Sequence, residues 1–121
     1  MSINEVLERI AADESVLAVA LVGEDGFVIE SVRKEGGADV DFVGGAATAA
    51  MASSRALADH LQKGEVKEVM VDYDEGPMLM APLPAGDSEY TLVMIINNVQ
   101  NLGKVRFLLK KNQSDLVEAL T

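Results

Sequence analysis

Val16-Leu17-Ala18-Val19-Ala20-Leu21-Val22 is apolar at every position. A strand with one wet face alternates apolar and polar residues, whereas a strand covered on both faces need not. Tyr90-Thr91-Leu92-Val93-Met94-Ile95-Ile96 also fails to alternate. Two such strands belong at the centre of a sheet, and helices must then cover both of its sides.

Outward from the first strand, Gly23-Glu24-Asp25-Gly26 leads into Phe27-Val28-Ile29-Glu30-Ser31-Val32, which reads as a hairpin around an Asp-Gly turn. Upstream, Ser2 followed by Glu5 is a capping-box signature, and Ile3, Val6, Leu7 and Ile10 recur at helical spacing. A first helix is therefore expected over about residues 3–12, broken by Asp13-Glu14-Ser15. Downstream, Glu35-Gly36-Gly37-Ala38 reads as loop, and Asp39 or Asp41 can cap a long helix that continues through Leu61 until Gly64 ends it.

Three strands follow: Val66 to Tyr73, Met78 to Pro82 after the turn Asp74-Glu75-Gly76-Pro77, and Tyr90 to Ile96 after the loop Pro84-Ala85-Gly86-Asp87-Ser88. Such short connections make an antiparallel meander. Asn101 can cap a last helix whose Leu102, Val105, Leu109, Leu116 and Leu120 form one stripe, interrupted by Asn112. The order αββαβββα predicts a three-layer α/β/α domain of the α+β kind, built around an antiparallel sheet.

With 121 residues, 49% of them apolar and only 13 Gly plus Pro, the chain suits one domain spanning residues 1–121 and is neither disordered nor a linker. Ten basic against 20 acidic side chains give a net charge of −10, which repels nucleic acid. Residues 1–100 carry 18 of the acidic and 6 of the basic groups, so any anionic contact belongs to Lys104, Arg106, Lys110 and Lys111, which otherwise read as the solvated face of a helix. There is no basic-then-apolar leader, and the longest apolar run is too short for the ~20 residues of a membrane span. The expectation is a soluble cytoplasmic protein with no membrane insertion.

Catalytic constellations are missing. Without cysteine there is no thiolate chemistry or cysteine-based zinc site, and His60 is the single histidine, best explained by the favourable electrostatics of a helix's last turn. Asp72, Asp74 and Glu75 crowd one hairpin but match no calcium loop, and turn chemistry accounts for them. Gly23-x-x-Gly26 and Gly36-Gly37 lack a phosphate-loop lysine. No enzyme, metal or cofactor is expected.

The middle helix is the candidate recognition element. From Gly44 to Ala58, twelve of fifteen residues are Gly, Ala, Ser or Thr, the exceptions being Met51, Arg55 and Leu57. The rows Gly44, Thr48, Ala52, Ala56 and Gly45, Ala49, Ser53 would let a second backbone approach closely, while Val43, Ala47, Ala50, Ser54, Leu57 and Leu61 would lie on the sheet. Small residues also let a helix pack tightly on its own sheet. A helix apolar or small nearly all round should, however, be covered nearly all round, which favours a second subunit. The strand from Val66 to Tyr73 carries Lys67, Glu68 and Asp72, charges that either deter stray pairing or set the register of one specific pairing across a two-fold axis.

The element order, the hairpin from Val16 to Phe27, the alanine-rich helix and the segment Asn101-Leu102-Gly103-Lys104-Val105-Arg106 together resemble the roadblock family of dynein light-chain-like proteins, most of all its short stand-alone prokaryotic members. The resemblance spans nearly the whole chain. It implies a roadblock/profilin-like, five-stranded antiparallel sheet with the long middle helix on one face and the two terminal helices on the other. It also implies a non-enzymatic homodimer in which middle helices pack side by side and third strands join. Mapped here, that interface comprises Gly45, Thr48, Ala49, Ala52, Ser53, Ala56 and the strand from Val66 to Tyr73, including Glu68, Met70 and Asp72, with Arg55 at its edge and not as an arginine finger. The implied partner is a small Ras-like GTPase whose nucleotide cycle or localisation the dimer modulates. A small sensory or ligand- or peptide-binding dimer is the alternative.

Overall fold

The structure is a computed structural model that describes residues 1–35 and 39–121. Gly36, Gly37 and Ala38, expected as loop, lie outside the described residues. Helix α1 (Ile3–Ala11) begins with the expected capping box: Ser2 Oγ accepts from the Glu5 N–H at 3.2 Å, and the Glu5 carboxylate accepts from the Ser2 N–H at 3.1 Å. Strands β1 (Val16–Val22), β2 (Val28–Arg33), β3 (Val69–Tyr73), β4 (Gly76–Ala85) and β5 (Ser88–Ile96) form one antiparallel sheet in the order β2-β1-β5-β4-β3. Helix α2 (Gly44–Leu61) covers one face, and α1 with α3 (Leu102–Leu120) covers the other. This is the expected α/β/α arrangement.

The unbroken apolar runs do sit centrally. In β1, Val16, Val19 and Leu21 join the α1/α3 side of the core, while Ala18, Ala20 and Val22 join the α2 side. A register irregularity between Val16 and Ala18 shifts the parity along the strand. In β5, Leu92, Met94 and Ile96 face α1 and α3, and Val93 faces α2. The small side chains of Ala18 and Ala20 keep the α2 side shallow, so a helix with few large residues can still close onto it.

Several boundaries differ from expectation, some because a side chain found a distant partner and others because a local turn formed. Helix α2 begins after Val43 with no side-chain cap. Asp41 accepts instead from the Ser31 hydroxyl at 2.7 Å, tying the preceding loop to β2, and Asp39 accepts from the Asp41 N–H at 3.0 Å. The helix leaves through Gln62 in the left-handed region, and Gly64 turns the chain at φ +83° two residues later. The third strand starts at Val69, not Val66, because Glu68 is drawn to Arg106 of α3. Strand β2 begins at Val28, leaving Phe27 in the turn, where its N–H donates to Asp25 at 3.2 Å. β4 and β5 are longer than expected: the loop between them shrinks to Gly86-Asp87, with Gly86 at φ +60°. Asn101 does not cap α3. Asn98 accepts from the Gln100 N–H at 2.9 Å and caps a 3₁₀ turn, Val99–Asn101, that feeds into the helix.

The face that α2 turns to the sheet is also different. Gly44, Ala47 and Met51 are buried, whereas Leu57 and Leu61, expected on the sheet, are 62% and 61% exposed. The rotation follows from a close approach. A Cβ on Gly44 would lie 2.1 Å from the Gly26 carbonyl oxygen, so only glycine lets the first turn of α2 rest on the β1–β2 hairpin. In α3, Leu102, Val105, Asn112 and Leu116 are buried, with Leu109 and Leu120 packed at the margin. Asn112, an interruption in the apolar stripe, is satisfied: it accepts from Arg9 at 3.2 Å and donates to the Leu108 carbonyl at 2.9 Å.

Candidate functional site: the outer face of the middle helix and the open sheet edge

Because Gly44, Ala47 and Met51 point to the sheet, helical periodicity turns Gly45, Ala49, Ser53, Leu57 and Leu61 outward as one i+4 row, and all five are exposed. Ala52 and Ala56 lie exposed on the adjoining row, while Thr48 is half-buried against the hairpin. Five of the predicted residues, Gly45, Ala49, Ala52, Ser53 and Ala56, are thus brought together on one accessible face. Leu57 and Leu61 complete that face and escaped the sequence reading, which assigned them to the core. The i+4 continuation of Gly45, Ala49 and Ser53 was the signal that could have found them.

Arg55 is exposed at the margin and pairs with Glu89 at 2.9 Å. Each side chain keeps over a third of its surface, so the pair contributes at most about 1 kcal/mol. Arg55, Asp59, Glu65, Val66, Pro82, Pro84 and Glu89 line an open groove between the second half of α2 and the end of β4. Three carboxylates and one guanidinium face it beside the apolar Val66, Pro82 and Pro84.

On the sheet edge the predicted residues are only partly assembled. Among the described residues β3 pairs with β4 alone, so its other side presents unpaired backbone groups. Val66 and Val69 pack on the α2 side of the core. Strand alternation then directs Met70 and Asp72 to the other face, the side of α1 and α3. Met70 is 40% exposed and Asp72 is exposed. Glu68 is engaged within the chain, receiving Arg106 Nη2 at 2.6 Å and Nε at 3.0 Å, a contact that raises the Arg106 pKa above its usual value. It holds α3 against the entry to β3.

His60 is exposed in the last turn of α2. Asp72, Asp74 and Glu75 line a shallow surface depression with Asn97 and Asn98, and among the described residues no three His, Cys, Asp or Glu side chains are grouped to hold a metal. No helix among the described residues is long and apolar enough to cross a membrane.

The described residues thus form an α/β/α sandwich with an exposed small-residue helix face and an open sheet edge. Residues 2–95 match the Roadblock/LC7 domain, and the chain belongs to that family. The fold is similar to that of MglB from Myxococcus xanthus, with a TM-score of 0.82, 24% identity and coverage of 98% of this chain and 94% of that one. It is also similar to the gliding protein MglB from Thermus thermophilus (TM-score 0.76, 22% identity, 97% and 87% covered). A Roadblock/LC7 domain from Streptomyces avermitilis matches at TM-score 0.66 and 18% identity over 96% and 98%. Among curated protein sequences none matches.

Proposed function

We propose that the protein is a non-enzymatic cytoplasmic homodimer, with residues 1–121 acting as one domain, that binds a small Ras-like GTPase and modulates its nucleotide cycle or localisation. The observation that carries the dimer is the graded outer row of α2. Its first half, Gly45, Ala49 and Ser53, is small, and its second half, Leu57 and Leu61, is large. Across a two-fold axis with antiparallel helices, the leucines of one copy seat over the glycine and alanine of the other, a self-complementary contact. Burying two leucines per protomer is worth about 1.5–3 kcal/mol each before the costs of association. The adjoining β3 edge offers backbone pairing to its symmetry mate, with Met70 and Asp72 at that edge and Val66 and Glu68 at its entry.

The GTPase reading rests on membership of the Roadblock/LC7 family, an argument by analogy, and on the −10 charge, which suits a partner surface rich in basic groups. The test of the interface is the solution mass of Ala49→Arg and Ala52→Arg, each checked for native circular dichroism. A folded monomer supports the assignment; retention of the wild-type dimer mass by both variants places the interface elsewhere.

A further inference from the structure

The four basic side chains of α3, Lys104, Arg106, Lys110 and Lys111, fall within its first ten residues. Val105, Asn112 and Leu116 are buried, and helical periodicity sets Phe107 opposite that stripe, on the outermost ridge of the helix. Phe107 is 65% exposed. Its neighbours at i−4, i−3, i+3 and i+4 are Gly103, Lys104, Lys110 and Lys111, all exposed. At Gly103 a Cβ would meet nothing within 4 Å. The ridge is therefore an aromatic ring set among ammonium groups, on the side of the sheet away from α2.

Its charge is not cancelled locally, although the chain carries −10. The carboxylates bonded within this layer are already taken, Asp13 by Lys104 at 3.2 Å, Glu68 by Arg106 at 2.6 Å and Asp115 by Arg9 at 2.8 Å. Lys110 and Lys111 make no ion pair among the described residues. Because Asp13 meets Lys104 while Arg9 meets Asp115, α1 and α3 run antiparallel, which sends Glu5, Glu8 and Glu118 toward the other end of the layer. Asp72, Asp74 and Glu75 stand at sheet level beside Asn97 and Asn98, ahead of the helix. A helix is about 10–12 Å across, so groups at sheet level or beyond it lie about a Debye length of 8–10 Å or more below the ridge.

We propose that this ridge docks on the surface of an anionic lipid bilayer, with Phe107 entering the headgroup region and Lys110 and Lys111 meeting the lipid anions beside it. The inference rests on the two-fold dimer proposed above. There β3 pairs with its symmetry mate and one sheet runs through the axis, so the axis stands perpendicular to the sheet and both α3 ridges emerge on the same side. Two copies offer eight basic α3 side chains and two Phe107 rings to one plane, and about 4–8 clustered cations are what an anionic leaflet attracts. The other side of the sheet is left to the GTPase. Shape selects a bilayer over a folded partner. The ridge is convex with its aromatic group at the crest, so it supplies an anchor and no pocket, and a protein would have to bring an acidic hollow to each of two ridges at once.

The test is co-sedimentation of the whole chain with vesicles of phosphatidylcholine alone and of phosphatidylcholine with phosphatidylserine, at low and high salt. Wild type should bind only the phosphatidylserine vesicles, and high salt should release it. Lys110→Glu/Lys111→Glu should weaken binding at least about tenfold and Phe107→Ser about fivefold, each variant confirmed folded by circular dichroism. Ala49→Arg keeps the ridge intact and, as a monomer, should bind at least about tenfold more weakly because two ridges no longer act together. The inference is overturned if wild type does not bind phosphatidylserine vesicles, if both ridge variants bind as wild type does, or if monomeric Ala49→Arg binds as tightly as wild type. It is also overturned by salt-sensitive assembly of wild type without vesicles that Lys110→Glu/Lys111→Glu loses, which would assign the ridge to a second copy. Failure of the dimer reading is seen separately, in sedimentation velocity without lipid, as an Ala49→Arg protein that keeps the wild-type mass.

Discussion

Replacing Gly44 and, separately, Gly45 by alanine applies one chemical change at two adjacent helix positions whose surroundings are opposite. In an exposed helix interior the change is favourable by about 0.8–1 kcal/mol, because alanine has less backbone freedom to lose. At Gly45, in the first turn of α2, nothing lies within 4 Å of the new methyl, so the protomer should keep a part of that gain. At Gly44 the methyl would fall 2.1 Å from the Gly26 carbonyl oxygen and 3.0 Å from its carbon. Both atoms are backbone in a turn closed by Gly23–Phe27 and Gly26–Gly23 hydrogen bonds, so no side-chain rotation relieves the overlap. Overpacking typically costs about 1–3 kcal/mol, and an overlap with backbone atoms belongs at or above the top of that range, so after the helix gain is subtracted the net effect of Gly44→Ala should be a loss of about 2 kcal/mol. Urea unfolding followed by far-ultraviolet circular dichroism, at one fixed protein concentration so that self-association is held constant, gives both values. The pair should move in opposite directions. A Gly44→Ala protein as stable as wild type would refute the close packing of α2 on the hairpin and, with it, the helix rotation that exposes the Gly45 to Leu61 row.

Met51 is the one large side chain that α2 buries fully, at 1% exposure; Met51→Ala should cost about 2–5 kcal/mol in the same assay. By contrast, Arg106→Ala removes a short but exposed ion pair with Glu68 and should cost less than about 1 kcal/mol, with stability falling further only if α3 detaches from the β3 entry. Asp13 supplies the pH dependence. Burial opposes its ionisation, but the Ser15 N–H at 2.9 Å and the Lys104 ammonium outweigh this and hold its carboxyl below the ordinary range. A depressed folded-state pKa contributes stability that is present above the unfolded value of about 3.9 and is lost as pH falls through the lower folded value. Asp13→Asn should therefore flatten the acid limb of the stability–pH curve measured by thermal unfolding. Leu57→Asp places a charge in the proposed two-fold contact and should raise the dimer dissociation constant at least tenfold in sedimentation equilibrium, leaving protomer stability nearly unchanged because Leu57 is already exposed.

The sheet was legible where a physical constraint is local or symmetric about the strand. The capping box at Ser2 and Glu5 needs only four residues, and the apolar runs of β1 and β5 state burial on both faces without reference to any partner. What the sequence concealed depends on long-range pairing. Asp39 and Asp41 are good helix caps in isolation, yet Ser31 is a nearer partner for Asp41, so the helix starts later and uncapped. Leu57 and Leu61 look like core on hydropathy alone. Their exposure follows from the contact of Gly44 with Gly26, eighteen residues earlier in the chain, which fixes the rotation of the whole helix. Glu68 left the strand for Arg106, 38 residues away. The small-residue face of α2 was visible in composition, since no other segment is so poor in side-chain volume, but its orientation was not. Met70 and Asp72 were grouped with it by strand, and alternation sends them to the opposite face.

The central claim is that a dimer built on α2 is the surface a small GTPase reads. The decisive measurement is affinity capture from native lysate with wild type and Ala52→Arg as parallel baits, each with GDP and with a non-hydrolysable GTP analogue, and the bound proteins identified by mass spectrometry. A Ras-like GTPase should be recovered by wild type in one nucleotide state and lost with the Ala52→Arg variant. Recovery of no GTPase by a folded, dimeric wild-type bait in either state would contradict that claim.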